Sequence, residues 1–177
     1  MKKTILFGWL AAITLWSNAL SAQGNAGGLV VRISLPVHEI KNPPDLKASI
    51  LVRNVSGKNL QVYQHLVEGY VGDPYTNLNL FIERKDSAGY AIYSMGTHYQ
   101  LVPTEDTVDR IKKITLSDRD SIILYYHLDN TYLFEPGEYR VKCTYRNNIH
   151  KRDKIESEWA YFKVLNKIFV KHYYEQD

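Results

Sequence analysis

The sequence predicts an all-β domain of about seven to nine short strands that pack as two antiparallel sheets, a β-sandwich. Runs rich in β-branched and aromatic residues alternate between apolar and polar side chains, which is the two-residue period of a half-buried strand. Turn-forming residues separate these runs at intervals of roughly 8–15 residues. No helical period of comparable length follows residue 28, so each run is expected to bury its apolar face against another sheet.

Two segments show the alternation most clearly. In residues 46–55 the apolar side chains occupy every second position from Leu46 onward, and in residues 139–146 they do so from Tyr139 onward. Polar and basic residues fill the intervening positions of the second segment. Because an antiparallel strand with one buried and one solvated face has this pattern, both segments are predicted to lie in sheets.

Shorter segments of the same character predict the remaining strands, at residues 29–35, 60–63, 78–83, 90–93, 114–116, 121–128 and 155–165. The turn at 56–59 predicts a hairpin between 46–55 and 60–63. The loop at 85–89 ends in a glycine, which accommodates positive φ, and it predicts a second hairpin.

Residues 1–22 have the three parts of a secretory signal peptide. A basic start with two lysines precedes an apolar run at 4–16 and a stretch of small and polar residues at 17–22. The run is shorter than the roughly 20 apolar residues that a membrane-spanning helix needs. It therefore predicts export, with cleavage after Ala22 or after Ser21.

The chain has 177 residues, the length of one domain. That domain is predicted to be residues 29–165, after a flexible lead-in at 23–28. Residues 166–177 form a C-terminal tail whose apolar side chains are predicted to pack on the domain. No later segment is apolar enough to span a membrane, so the mature chain is expected in the periplasm or outside the cell, without a transmembrane span.

Composition sets limits on the partners and on the chemistry. The chain has 22 basic and 19 acidic residues, and without residues 1–22 the balance is 20 against 19, a net charge of +1. A nucleic-acid binder neutralises phosphates with a basic face, so this near-neutral balance predicts no nucleic-acid partner. The single cysteine excludes a disulfide framework and a multi-cysteine zinc cluster.

Two stretches carry a resemblance to a known family. Residues 133–145 (LFEPGEYRVKCTY) and 46–60 (LKASILVRNVSGKNL) resemble immunoglobulin-like and fibronectin type III-like domains of secreted bacterial proteins. The resemblance implies an immunoglobulin-like sandwich in which Tyr139 is the corner tyrosine that hydrogen-bonds to backbone upstream. The chain departs from the antibody pattern because it has no cysteine pair and no tryptophan in the third-strand position.

Catalytic, cofactor and metal sites are not expected. His65 and Glu68 have the H-x-x-E spacing of zinc sites, but the second histidine of such a site is absent. Asp118 and Asp120 are too few carboxylates for calcium. Cys143 lies on the apolar face of its predicted strand, where a thiol fills the core, and the sequence contains no G-x-S-x-G nucleophile motif.

Two surface features remain as candidate ligand sites. Tyrosines outside the clean strands offer flat contact area for protein or sugar: Tyr70, Tyr75 and Tyr99. A basic strip offers contacts to an anionic partner: Arg140, Lys142, Arg146, Lys151 and Arg152. The sequence therefore predicts a secreted or periplasmic, non-catalytic binding module for a protein or glycan at the cell envelope. The alternatives are a carbohydrate-binding module that uses the loop tyrosines and a secreted hydrolase.

Overall fold

The computed structural model describes residues 28–66, 76–93, 112–148 and 154–168. These residues are mostly strand, with two short 3₁₀ turns at Pro43–Leu46 and Leu128–Asn130. The strands in chain order are β1 (Leu29–Ser34), β2 (Glu39–Ile40), β3 (Lys47–Asn54), β4 (Leu60–Tyr63), β5 (Leu78–Asp86), β6 (Gly89–Ile92), β7 (Lys113–Leu116), β8 (Ser121–His127), β9 (Gly137–Tyr145), β10 (Ile155–Glu156) and β11 (Ala160–Val164).

The first sheet has three antiparallel strands in the order β1-β3-β8. Leu51 of β3 faces Arg32 of β1 on one side and Ile123 of β8 on the other. The even-numbered residues of β3 point into the core and its odd-numbered residues point outward, as the alternation at 46–55 predicts. The outer face of this sheet is therefore built from odd positions of β3 and β8 and even positions of β1.

The second sheet has the order β2-β11-β9-β5-β6, with β10 paired to β9. Strands β5 and β6 form the hairpin that the glycine-ended loop predicts, and Gly89 has a φ of 129°. The pair β2–β11 is parallel, with Val164 opposite Ile40, so the prediction of purely antiparallel sheets is wrong at this edge. Strand β2 has only two residues, too few for an alternation of apolar and polar side chains to be recognised in the sequence.

The predicted hairpin between 46–55 and 60–63 is wrong. Strand β4 pairs with β7 in a separate two-stranded sheet, while β3 pairs with β1 and β8. Asn54 explains the change of direction, because its buried side-chain amide donates to the carbonyls of Lys58, Leu116 and Ser117. These bonds tie the turn after β3 to the end of β7 instead of returning the chain along β3.

One hydrophobic core joins the sheets. The inner side chains of β3 and β9 are fully buried in it, and its densest part is a group of aromatic rings. Phe134 packs edge-on against Tyr139 at 5.3 Å between ring centroids and against Phe162 at 5.8 Å, and it stacks with Tyr93 at 6.0 Å. Ile168, in the predicted tail segment, is buried and forms a backbone bridge with Phe134.

A local irregularity divides the last predicted strand. The backbone N–H of Ser157 donates to the carbonyl of Cys143, and the Ser157 hydroxyl accepts from the Cys143 N–H. This separates β10 from β11 at residues 157–159. Across the described ranges, no helix has the length and apolar character needed to cross a membrane.

Candidate functional site

A pocket of about 450 Å³ opens on the outer face of the first sheet. Its polar lining consists of three arginines, Arg32, Arg53 and Arg119, and one acid, Asp118. The apolar part of the wall comes from Val30, Leu51 and Val55, and Gly57 completes the rim. A concave site with an apolar wall and a few convergent charged groups has the general form of a ligand site.

The register of β1 and β3 places two of the arginines. Val30 lies opposite Arg53 and Arg32 lies opposite Leu51, so each arginine stands beside an apolar neighbour on the same outer face. Both arginines are exposed. Within the described segments neither side chain forms a hydrogen bond or an ion pair, so their five-donor guanidinium groups are open to a ligand.

The third arginine is held in a strained turn. Arg119 has a φ of 66°, the left-handed region that costs a non-glycine residue about 1–2 kcal/mol. Its backbone N–H donates to the carbonyl of Asn54 at 2.9 Å, which fixes the turn to the end of β3. Its side chain is 84% exposed and lies 3.6 Å from Asp118. Strained residues that the surrounding structure over-determines are concentrated at binding and catalytic sites.

Two contacts hold the Asp118 side chain at the rim of the pocket. Its Oδ1 accepts from the backbone N–H of Gly57 at 2.8 Å, and its Oδ2 faces the Arg119 Nε. Gly57 has a φ of 77°, a conformation that glycine adopts without strain. Three guanidinium groups against this one carboxylate leave the pocket lining with a net charge of +2.

The outer face of the second sheet presents a contrasting site around Arg140. The guanidinium Nε and Nη2 both donate to Oε2 of Glu83, at 2.8 and 2.5 Å. Its centre lies 4.4 Å from the ring centroid of Tyr90 and 4.3 Å from that of Trp159. The hydrogen bond to Glu83 raises the pKa of Arg140. The side chain of this arginine is therefore held by contacts to neighbouring residues of the protein.

The neighbouring lysines of this face are paired too. Lys142 contacts Glu156 at 3.0 Å and lies 5.2 Å from the Trp159 ring centroid. Lys85 contacts Glu138 at 2.7 Å, which raises the pKa of the lysine and lowers that of the glutamate. We call the set from Tyr90 through Arg140 and Trp159 to Lys142 the ladder. Its cations have partners within the protein.

The structure separates the predicted ligand residues. Arg140 and Lys142 lie in the ladder, whereas Arg146 is only 6% exposed and is not part of a surface strip. The Arg146 Nη2 is 3.4 Å from Oδ1 of Asn79, and its Nε has no hydrogen-bond partner. The other predicted ligand residues lie outside the described ranges: Tyr70, Tyr75, Tyr99, Lys151 and Arg152.

Tyr139 and Cys143 are structural residues of β9. The Tyr139 hydroxyl donates to the carbonyl of Glu135 at 2.8 Å, four residues upstream, and the ring is fully buried. Burial raises the pKa of the Cys143 thiol to about 12. A thiol that stays protonated at neutral pH is a poor nucleophile.

Potential metal ligands do not cluster in the described ranges. Within the described ranges, no three His, Cys, Asp or Glu side chains lie in an arrangement that could hold a metal ion. Asp118 is engaged by the Gly57 N–H and by Arg119. Of the H-x-x-E residues, His65 is described and Glu68 lies outside the described ranges.

Comparisons with known proteins give little likeness. No family model matches the sequence, and no curated protein matches it. Among solved structures, one match is the Pseudomonas fluorescens alkylpurine DNA glycosylase AlkC bound to DNA containing an abasic site analog. The TM-score is 0.37 at 9% identity, and the match covers 78% of this chain and 30% of that one. A likeness of this size does not establish a shared fold.

These comparisons overturn two predictions. The assignment to the immunoglobulin-like or fibronectin type III-like families is wrong, because no family model matches the sequence. The stretches that suggested it, 133–145 and 46–60, describe local turns and alternation, which many β folds share. The module for a protein or glycan at the cell envelope, inferred with that resemblance, is wrong with it, and so is its carbohydrate-binding alternative.

The exclusion of nucleic acid is also wrong, because it rested on the net charge of the chain. The physical error lies in the use of net charge. A net charge of +1 averages a face whose cations are paired, such as Arg140 with Glu83, and a face whose cations are not, such as Arg32 and Arg53. Local charge, and not the total, decides what a surface attracts.

The pocket arginines were missed in the sequence. Arg32 and Arg53 occupy outward positions of clearly alternating strands, and this pattern is that of any solvated strand face. The available signal was the absence of Asp and Glu from residues 29–35 and 46–55. The convergence with Arg119 depends on the pairing of β1 with β3 and on the turn after β7, which local sequence does not reveal.

Proposed function

We propose that this protein binds a phosphate-bearing ligand in the arginine pocket. The observation that carries the proposal is the convergence of Arg32, Arg53 and Arg119 on one concave site where a single carboxylate opposes them. Guanidinium groups match phosphate oxygens through paired N–H donors. Arg32 and Arg53 have no polar side-chain contact within the described residues, so a ligand does not need to break an existing ion pair to reach them.

Charge favours phosphate over a carboxylate. The lining has a net charge of +2, and a phosphate monoester carries about −1.5 to −2 at pH 7. A single carboxylate would leave a guanidinium uncompensated. The apolar wall of Val30, Leu51 and Val55 gives room for an uncharged portion of the same ligand.

Calorimetric titration with AMP, adenosine and inorganic phosphate tests the proposal. AMP is expected to bind, with adenosine at least tenfold weaker, because the phosphate supplies the contacts to the arginines. Arg53→Gln and Arg32→Gln should each weaken AMP binding about tenfold. Lys154→Gln is the matched control: it removes one exposed cation on another element, and its affinity for AMP should equal that of the wild type.

Three results would contradict the proposal. One is an absence of AMP and phosphate binding at millimolar concentration. Another is equal binding of AMP and adenosine. The last is equal loss of affinity in Lys154→Gln and Arg53→Gln, which would indicate a non-specific charge effect. Circular dichroism of each variant shows whether its fold is retained.

We also propose that residues 1–22 are an export signal. The basic start, the apolar run at 4–16 and the small residues that follow support this assignment. Expression of the full chain in a bacterial host should yield a periplasmic product that begins at Gln23 or Ala22, read by intact-mass measurement. A cytoplasmic product that retains Met1 would contradict it.

A further inference from the structure

The outer face of the first sheet continues from the arginine pocket along β3 and β8. Leu51, in the pocket wall, lies beside Ile123, and Ser49 lies beside Tyr125. Arg53 and Ser49 are four residues apart on β3, which is about 13 Å along the strand at roughly 3.3 Å per residue. Ile123 and Tyr125 are both exposed, so the surface leading away from the pocket is apolar and open to solvent.

An aromatic ring and a cation lie at the far end of this surface. Tyr125 is 57% exposed, and the Lys47 ammonium lies 4.3 Å from its ring centroid. Lys47 precedes Ser49 on the same face of β3 and is exposed. Aromatic side chains beside cations are the surfaces on which unpaired bases stack.

The strand positions of this face carry only basic charges, and Asp118 and the exposed Asp120 lie in the turn before β8. The outward positions of the described strands β1, β3 and β8 contain no Asp or Glu, and the acid at the pocket rim is Asp118. Arg32, Arg53 and Lys47 have no carboxylate partner within the described residues. A polyanion is therefore the complementary partner.

We propose that the ligand of the arginine pocket is a single-stranded nucleic acid, which runs from the pocket along β3 and β8 to Tyr125. This inference rests on the proposed function, since the pocket must first bind phosphate. The arginines contact the backbone phosphates, and a base a few nucleotides away stacks on the free face of the Tyr125 ring. The Leu51 and Ile123 side chains lie beneath the intervening nucleotides.

Fluorescence anisotropy with labelled oligothymidylates tests the inference. Affinity should rise at least tenfold from a dinucleotide to a hexanucleotide, because only the longer strand reaches both the pocket and Tyr125. With three unpaired cations engaged, log K should fall with log salt with a slope of about −2, and Arg53→Gln should reduce that slope to about −1.4.

Tyr125→Ala separates stacking from charge. It should weaken hexanucleotide binding about tenfold and leave AMP binding unchanged. A hexamer of deoxyribose phosphate without bases should bind the wild type and Tyr125→Ala equally. Tyr161→Ala is the control, since Tyr161 is similarly exposed (51%) on the other sheet, and it should bind the hexanucleotide as the wild type does.

The outcomes distinguish the two proposals. If AMP binds but affinity does not rise with strand length, or Tyr125→Ala has no effect, the nucleic-acid inference fails and the proposed function stands. If AMP does not bind, both fail. Competition with polyglutamate and with vesicles containing phosphatidylserine completes the test: if either displaces the hexanucleotide at an equal concentration of charge, the face is a general anion surface and the inference is overturned.

Discussion

The outer faces of the two larger sheets use basic residues in opposite ways. On the second sheet, Arg140 is bonded to Glu83 and lies between two aromatic rings. On the first sheet, Arg32 and Arg53 extend from the strands beside apolar neighbours, with no polar side-chain partner in the described residues. The cations of the ladder serve the fold, whereas those of the pocket are available to a ligand.

The difference arises across strands and not along them. Both faces alternate basic and apolar residues in sequence, as in 31–33 and 139–142. Glu83 stands opposite Arg140 in the β5–β9 register, whereas Leu51 stands opposite Arg32 in the β1–β3 register. A basic position is thus interpretable only once its cross-strand neighbour is known.

The largest effect is expected at the support of the pocket rim. Asn54→Ala removes the amide that satisfies the carbonyls of Lys58, Leu116 and Ser117 and the carbonyl oxygen that accepts from Ser56. Because Asn54 is fully buried and its side chain loses several hydrogen bonds at once, the free energy of unfolding should fall by about 3 kcal/mol. Urea denaturation measures it. A midpoint equal to that of the wild type would show that the rim is not held by Asn54.

Alkaline pH should destabilise the core beneath the ladder. Burial raises the pKa values of Tyr139, Tyr145 and Cys143, that of the thiol to about 12. Since a raised folded-state pKa favours the protonated native form, its stabilisation is full below the unfolded value and is lost as pH rises toward the folded value.

Between pH 8 and pH 10.5 the free energy of unfolding should therefore fall, by about 2 kcal/mol from the thiol alone and further from the two tyrosines, as measured in urea. Cys143→Ala removes one of the three groups, so its loss over the same range should be smaller. An unchanged midpoint across this range in the wild type would mean that the three groups are not buried as described.

A matched pair of substitutions compares the two faces directly. Arg140→Ala loses the Glu83 bonds and two ring contacts, and it should lower the free energy of unfolding by more than Arg53→Ala does. Arg53→Ala loses no polar contact within the described residues and should change it by less than about 0.5 kcal/mol. Thermal and urea unfolding of both variants measure the contrast. Equal losses would remove the distinction between the faces.

The smallest effect concerns the strained turn. Arg119→Gly relieves a positive φ and should raise the free energy of unfolding by about 1 kcal/mol. The same change removes one of three guanidinium groups from the pocket, so AMP affinity should fall while stability rises. Urea unfolding and calorimetry on one preparation measure both. A loss of stability would show that the Arg119 side chain supports the fold.

Much of the fold was predictable because alternation and turns are local. The strand at 46–55, with Leu46, Ala48 and Ile50 fully buried, and the Gly89 hairpin follow from residues close in sequence. Sheet partners were not predictable in this way: nothing near Asn54 reveals that its amide reaches Leu116, and so the pairing partner of β4 was misassigned. The burial of Arg146 depends in the same way on what covers β9.

The two-residue strand β2 has a consequence for how the protein behaves at high concentration. It occupies the open backbone edge of β11, which would otherwise present unpaired N–H and C=O groups to another molecule. Two consecutive prolines, Pro43 and Pro44, follow three residues later. Proline has no N–H with which to continue the backbone hydrogen bonding between strands. The border of the second sheet is thus closed by a segment too short to recruit a further strand, which protects the chain from edge-to-edge aggregation on that side.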